Sequence, residues 1–382
     1  MAGALVREGA AVGVARARGR LGQPGAVPAR LGEVTPAWLG ACLGARWPAA
    51  RVASVRVLDA TAGTTDRVRL AVDYTPAGVA GAPESVFVKL APAATATRLF
   101  CNLMALGTTE VRFYREIAPA LPVRVPDALC AVSDRAQGFA LVLEDLAAGS
   151  AAFSDVAHPV DAARAGTVVA ALARLHAALW ESPRFRSDLA WLRAPGRNPL
   201  VGRERALCAL ALRPGLARFP DLVPAAIRDA AGRVLAARNC LDARWAARPL
   251  TLVHGDDHLG NLFWEGEEVG FLDWQVTQIG PGMRDVSYFL VTSLPVEVRR
   301  AHERALIERY LAVLAERGVA APSFEDAWRD HRLLACHAWI AAIVTAAAPA
   351  LQPEPVARAA VDRACRALVD LDSLRALADL GA

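Results

Sequence analysis

Two periodicities divide this chain. Up to about residue 146 apolar and polar residues alternate in short runs, the signature of strands with one buried face. Val68, Leu70, Val72 and Tyr74 stand against Arg67, Arg69, Ala71 and Asp73, while Val86, Val88 and Leu90 point one way and Phe87 and Lys89 the other. Apolar runs at 128–133 and 140–144 are joined by Asp134-Arg135-Ala136-Gln137-Gly138, a hairpin signal. Among these strands the segment 108–117 reads as an amphipathic helix, with Val111, Tyr114 and Ile117 apolar and Thr108 and Thr109 as N-cap candidates. After residue 147 the pattern becomes long, Ala-rich and helical, over 160–180, 221–245, 295–317, 323–348 and 353–380. One hairpin interrupts it: a strand at 251–253 feeds a loop, 262–264 leaves it, 265–268 turns and 269–272 returns. Strands followed by helices make an α+β plan of two lobes.

The loop of that hairpin carries the densest chemistry. It reads His254-Gly255-Asp256-Asp257-His258-Leu259-Gly260-Asn261, and the returning strand ends in Asp273-Trp274-Gln275. The hairpin brings Asp256, Asn261 and Asp273 to one end. In phosphoryl transfer of the kinase type, one Asp accepts the proton of the substrate hydroxyl while an Asn and a second Asp ligate the metal that bridges the phosphates. Hard oxygen donors suit Mg²⁺, and the amide adds an oxygen without further charge.

A second pointer comes from composition. Lys89 is the only lysine, so every other member of the 43 basic residues is an arginine. A compact ammonium on a strand reaches phosphates where the broader guanidinium fork does not fit. Its acidic partner is expected on the helix at 108–117. Glu110 and Glu116 point to different sides of that helix, and Glu116 can pair with Arg112, which favours Glu110 for Lys89.

At these residues the chain resembles the aminoglycoside phosphotransferase and choline kinase group, and within it the ecdysteroid-kinase-like small-molecule kinases. The loop pattern H-G-D-x-x-x-x-N followed by D-W/F-Q/E stands here as His254 to Asn261 and Asp273-Trp274-Gln275. The resemblance implies a bilobal protein-kinase-like fold, with a five-stranded antiparallel sheet in a small nucleotide-binding lobe (31–146) and a mainly helical catalytic and substrate lobe (147–382). It implies Asp256 as catalytic base, Asn261 and Asp273 as Mg²⁺ ligands, and Lys89 with Glu110 at the phosphates of ATP. It also raises Gly63 and Thr64 to a phosphate-covering turn and makes Glu144 to Leu146 the segment whose backbone bonds adenine. His176 matches a recurrent family position, where a hydrogen-bonded core histidine is expected. Asp285 is expected to brace the catalytic loop. Protein kinases carry H-R-D and D-F-G, and neither stands at these positions, which points to a small-molecule hydroxyl acceptor. No pattern between residues 150 and 382 names a sugar, antibiotic, sterol or choline.

The remaining composition narrows the class. A formal charge of +4 over 382 residues, with arginines scattered among 39 acids and no basic run interleaved with aromatics, does not indicate nucleic acid. Seven cysteines without C-x-x-C spacing suggest reduced thiols in a cytoplasm and no zinc. Residues 1–30, where arginines break any apolar run, are expected to form a flexible extension rather than a signal peptide. The nearly uncharged stretch 333–351 has membrane-spanning length, but its alanines, His337 and Pro349 favour a buried helix and no membrane partner. Oligomeric state is not encoded in these features. Two rivals are a nucleotide-binding pseudokinase, opposed by the presence of Lys89, Asp256, Asn261 and Asp273 together, and a binuclear metallophosphoesterase. The second would use Asp256, Asp257, His258 and Asn261 but lacks the later His and Asp loops such a centre needs.

Overall fold

The computed structural model describes residues 27–75, 79–155, 159–349 and 352–380. The extension expected over 1–30 lies outside them except for 27–30. The described chain forms two compact units. One runs to Ala120 and resumes over Val125–Ala151; the other holds Leu121–Arg124 and everything from Ala152 onward.

In the first unit β1 (Arg51–Ala62), β2 (Asp66–Thr75), β3 (Ser85–Leu90), β4 (Ala128–Ser133) and β5 (Phe139–Glu144) form one sheet in the order β1-β2-β3-β5-β4. Every neighbouring pair is antiparallel. The alternation seen in sequence decides its faces. Val68, Leu70, Val72, Val86, Val88, Leu90, Ala140 and Val142 are buried together against Leu39 and Leu43. Those two leucines come from α1 (Pro36–Leu43), a helix with no strong sequence signature beyond its start. There Thr35 caps Trp38 N and Pro36 takes the first turn. On the sheet's other face Lys89 stands in register between Arg67 of β2 and Leu141 of β5.

Two helices follow β3, namely α2 (Thr95–Leu103) and α3 (Leu106–Glu116). The expected caps are corrected here. The helix begins before Thr108, its N-cap residue is Ala105 in a left-handed conformation (φ 55°), and Thr108 Oγ1 donates to Ala105 O at 3.1 Å. A threonine side chain bonds a preceding carbonyl inside a first turn as readily as it caps one, which makes the two readings indistinguishable in sequence.

The second unit contains α4 (Ala162–Ala178), α5 (Val201–Arg218), α6 (Ala225–Ala236), α7 (Arg238–Ala246), α8 (Met283–Ser293), α9 (Val296–Glu316), α10 (Phe324–Ala346), α11 (Glu354–Asp370) and α12 (Ser373–Ala378). Between α7 and α8 lie the strands that carry the loop: β7 (Thr251–Val253), β8 (Leu262–Glu265), β9 (Glu268–Phe271) and β10 (Gln278–Gly280). β8 pairs with β9 and with a short β6 (Ala152–Phe153), and β7 pairs with β10. Two long helices expected from sequence are each broken in two. The first starts only after Pro224 and breaks at Ala237; the second stops at Asp370, before Asp372 turns left-handed with φ 48°. Helix α5 was not foreseen, because Gly202, Pro214 and Gly215 interrupt its pattern. The apolar stretch beginning at Leu333 lies in α10, with Leu333, Leu334, Ala338, Trp339 and Ile343 in the core. No helix among the described residues is long and apolar enough to cross a membrane.

Candidate active site

The loop after β7 is held by a carboxylate one element away. Asp285, in the first turn of α8 and fully buried, accepts from His254 N at 2.6 Å and Gly255 N at 3.0 Å. His176 of α4 meets the same carboxylate at 3.2 Å through Nε2 and the Tyr310 hydroxyl of α9 at 3.0 Å through Nδ1. Burial alone would raise the Asp285 carboxyl, but these donors hold it below its ordinary value. The expected brace is thus formed, with His176 as its buried support.

Glycine is required twice in this frame. At Gly255 φ is +87° and a Cβ would lie 2.8 Å from Val276 O. At Gly282 a Cβ would lie 2.1 Å from the Tyr310 hydroxyl and 2.8 Å from His176 Nδ1.

His254 itself is buried beneath the loop. Its Nε2 donates to Leu272 O at 2.8 Å while Nδ1 accepts from Asp256 N at 3.2 Å, which specifies one neutral tautomer. Burial pushes its pKa down and keeps the ring uncharged. The imidazole packs on Trp274 with ring centroids 4.4 Å apart. In this way the residue before the loop and the residue after Asp273 become one packed unit.

Asp256 sits above this frame. Its Oδ1 accepts the Tyr288 hydroxyl at 2.9 Å. Asn261 Nδ2 donates to Asp256 O at 2.7 Å and approaches Oδ2 at 3.3 Å. With its NH₂ so committed, the Asn261 Oδ1 forms no hydrogen bond among the described residues. Asp273 follows β9 beside it, since Leu272 N donates to Asn261 O at 2.8 Å. Its backbone is left-handed (φ 62°), an unfavourable state for a residue with a Cβ, and Gln275 Nε2 donates to its Oδ1. His258 caps the turn at Leu259–Asn261 by accepting from Gly260 N at 3.0 Å and lies 3.8 Å from Asp256 Oδ2.

The donor set decides what ion suits this place. Among the described residues no group of three or more His, Cys, Asp or Glu is arranged to hold a metal. An amide oxygen with one or two carboxylates is a partial shell of hard oxygens, which fits a Mg²⁺ that completes its six positions with water and phosphate oxygens.

A cavity of about 150 Å³ opens beside Asp256. Asp256, His258 and Tyr288 form one side and Thr292, Thr345 and Ala357 belong to the helical wall. That is below the roughly 300–1,000 Å³ of a pocket that swallows a drug-sized ligand. It is room for one functional end of a molecule.

Two of these features have no signature in the sequence. Tyr288 stands one turn beyond Asp285 on α8, a spacing that becomes meaningful only once Asp285 is placed. Burial, then the charge of Asp256, push its phenol well above its usual range, so it is a fixed donor. Asp257 reads as part of the motif but turns away: it is fully buried with neither oxygen hydrogen-bonded among the described residues. Burial, then Asp285, raise its carboxyl well above the ordinary carboxylate range.

In the first unit Lys89 Nζ meets Glu110 Oε1 at 2.6 Å, and both residues are buried. Glu116 pairs instead with Arg112 at 2.8 Å, as their i, i+4 spacing allows. Gly63 and Thr64 lie in the bend between β1 and β2, tied down where the Cys101 thiol donates to Thr64 O at 2.9 Å. Arg67, across from Lys89 on β2, reaches back under this bend, and its Nε is buried without a partner among the described residues. After β5, Asp145 receives Arg69 through two bonds of 2.9 Å and Ser85 Oγ at 2.6 Å. This ties the Glu144–Leu146 segment to the adjoining strands. Burial opposes the charge of Asp145, yet Arg69 and Ser85 keep its carboxyl low.

A family model described as "Phosphotransferase enzyme family" matches residues 79–311. No curated protein sequence matches. Among solved structures, the GDP complex of a variant of aminoglycoside 2'-phosphotransferase-IIIa has 11% sequence identity, covers 88% of this chain and 97% of that chain, and gives a TM-score of 0.50. Macrolide 2'-phosphotransferase MphH from Brachybacterium faecium has 21% identity over 82% of this chain and 98% of that one, with a TM-score of 0.45. Choline kinase from Cryptosporidium parvum Iowa II has 11% identity over 86% and 91%, with a TM-score of 0.49.

Proposed function

The chain belongs to the phosphotransferase enzyme family and has its protein-kinase-like fold, and from that premise we propose that it transfers the terminal phosphoryl group of ATP to a hydroxyl of a small organic molecule. The observation that carries the reading is the engagement of Asp256. One carboxylate oxygen is held by Tyr288 and its backbone by Asn261 and His254, beside a small cavity. A carboxylate fixed in this way can accept the proton of a hydroxyl seated in the cavity and align its oxygen for attack.

The other residues take complementary parts. Asn261 Oδ1 and the Asp273 carboxylate would hold Mg²⁺, which when bound neutralises charge on the phosphates. Lys89, oriented by Glu110, would bind the phosphates of ATP, with Gly63 and Thr64 covering them through backbone N–H groups. The backbone of Glu144 and Leu146 would hydrogen-bond adenine. Catalysis then consists of positioning and electrostatics, with no covalent enzyme intermediate.

The test is ADP release with Mg²⁺ and ATP across a panel of hydroxylated metabolites, with Asp256→Asn as the blank. Acceptor-dependent release is expected, falling by about 10²–10⁴-fold in the variant, while nucleotide binding by calorimetry persists. Wild-type-like turnover by Asp256→Asn would remove Asp256 from the reaction. Lys89→Met is expected to lower kcat/KM for ATP by about 10²-fold; an unchanged value would take Lys89 out of the site.

A further inference from the structure

Arg284 is the second residue of α8, one turn before Tyr288. Among the described residues its guanidinium forms no hydrogen bond and no ion pair, and its Nε is buried. It is nonetheless set deep in the unit, where burial depresses its pKa. Two further arginines converge on it. Arg193 reaches Glu204 at 3.2 Å and leaves Nη2 buried and unpartnered; Arg238 reaches the same carboxylate at 3.0 Å and leaves Nε in the same state. His337 of α10 adjoins them, kept neutral by burial and by the charges of Arg284 and Arg238.

Acids lie near this set, but among the described residues none is ion-paired to Arg284. Glu204 serves both Arg193 and Arg238 and also accepts from Asn198 at 3.1 Å. Asp242 is met by Arg205 at 3.8 Å and also faces the charges of Arg238 and Arg284, and the buried Asp257 faces that of Arg284. Asp285 is spent on the loop and on His176. A guanidinium withdrawn from water with no ion pair of its own is costly, and Arg284 stands in that position beside two arginines that share one carboxylate.

Their place suggests a use. Arg284, Tyr288 and His337 all retain solvent-accessible surface despite their depth, and Tyr288 also lines the cavity beside Asp256. The rings of Tyr288 and His337 lie 6.2 Å apart, and the Tyr288 hydroxyl bonds Asp256. Residues four apart on a helix are neighbours at about 6 Å, so the guanidinium of Arg284 lies a short step from the phenol that touches the catalytic carboxylate.

We propose that this arginine cluster binds an anionic group of the phosphate acceptor, so that the molecule phosphorylated is a hydroxylated carboxylate or phosphate ester. The oxyanion would be received by Arg284 with Arg238 and Arg193 behind it, and the hydroxyl would be presented to Asp256. Guanidinium forks suit such oxyanions because they offer paired N–H donors in a plane. The assignment rests on the phosphotransferase reading for the hydroxyl end, but not for the anion end.

Two measurements test it separately. The first is ADP release with matched acceptor pairs, hydroxycarboxylates against their primary amides and sugar phosphates against the free sugars; which set responds separates carboxylate from phosphate ester. The anionic member of at least one set should be preferred about tenfold or more in kcat/KM. Arg284→Met should lose that preference through acceptor KM, and Arg284→Lys should restore part of it. Equal use of both members, or preference for the neutral ones, overturns the site while leaving the phosphotransferase intact. The second is thermal unfolding in the presence of the same hydroxycarboxylates and sugar phosphates, and of inorganic phosphate, without nucleotide. A saturable rise in Tm in the wild type that Arg284→Met lacks supports the site even where no ADP is released, and in that case it is the phosphotransferase reading that fails. No rise with any of these anions overturns the site.

Discussion

Tyr288 and Asp257 flank the Asp256 side chain chemically but pull in opposite directions. The phenol donates to Asp256 at 2.9 Å and cannot ionise near neutrality, so it holds one carboxylate oxygen in place. Tyr288→Phe should therefore lower kcat by about tenfold with little change in KM for ATP, which steady-state kinetics would read. A uniform loss of folded protein with kcat per active molecule unchanged would reduce Tyr288 to packing. Asp257 has neither oxygen hydrogen-bonded among the described residues, and its linkage to pH has a definite sign. Its folded-state pKa lies above the unfolded value, so folding takes up a proton. Its stabilising share is complete below the unfolded value of about 3.9 and is lost as pH rises toward the folded one. Asp257→Asn should remove that part of the pH slope and gain about 1–3 kcal/mol at neutral pH, measured as denaturant midpoints of both proteins from pH 4 to 8. Equal slopes would refute it. The grouping of Asp256 with Asn261 was legible in the sequence because both stand in one short loop. The fate of Asp257 was not, since nothing local says which of two adjacent acids turns inward.

At the scale of elements, the loop depends on contacts among α4, α8 and α9 that meet at Gly282. An added methyl there would overlap the Tyr310 hydroxyl. Gly282→Ala should destabilise the unit by about 1–3 kcal/mol and depress turnover through Asp285, whereas Gly282→Ala with Tyr310→Phe should recover part of the stability. Additive losses in thermal unfolding would show that the two positions do not share this space. Strands were easier to read than helices. β2 and β3 announced themselves because one face of each is apolar and β5 because it is apolar on both, and the Lys89–Glu110 pairing followed from strand alternation and helix geometry together with the family resemblance. Helix α5 stayed hidden because glycine and proline interrupt it, and the breaks at Ala237 and Asp372 fall in sequences whose Ala-rich composition continues without a stop signal. Helix boundaries there are set by packing rather than by propensity.

Across the whole molecule the thiols are spread through both units and grade from open to enclosed. Cys240 is exposed, while Cys101, Cys336 and Cys365 are buried. Burial pushes the Cys336 thiol up to about 12 and that of Cys365 up to about 11. In native protein near neutral pH a thiol reagent should modify Cys240 first, and Cys336 and Cys365 only at the rate of large-scale opening, as followed by mass spectrometry with and without denaturant. Early modification of Cys336 would mean that α10 opens locally. The solitary lysine offers a complementary readout. A lysine-specific protease has one bond to cut in this chain, Lys89–Leu90, and both residues are buried on β3, hydrogen-bonded between β2 and β5. Each scission therefore reports one unzipping of the central sheet, so the appearance of two fragments on a gel becomes a clock for that event, and any nucleotide that slows it has bound the strand's own unit.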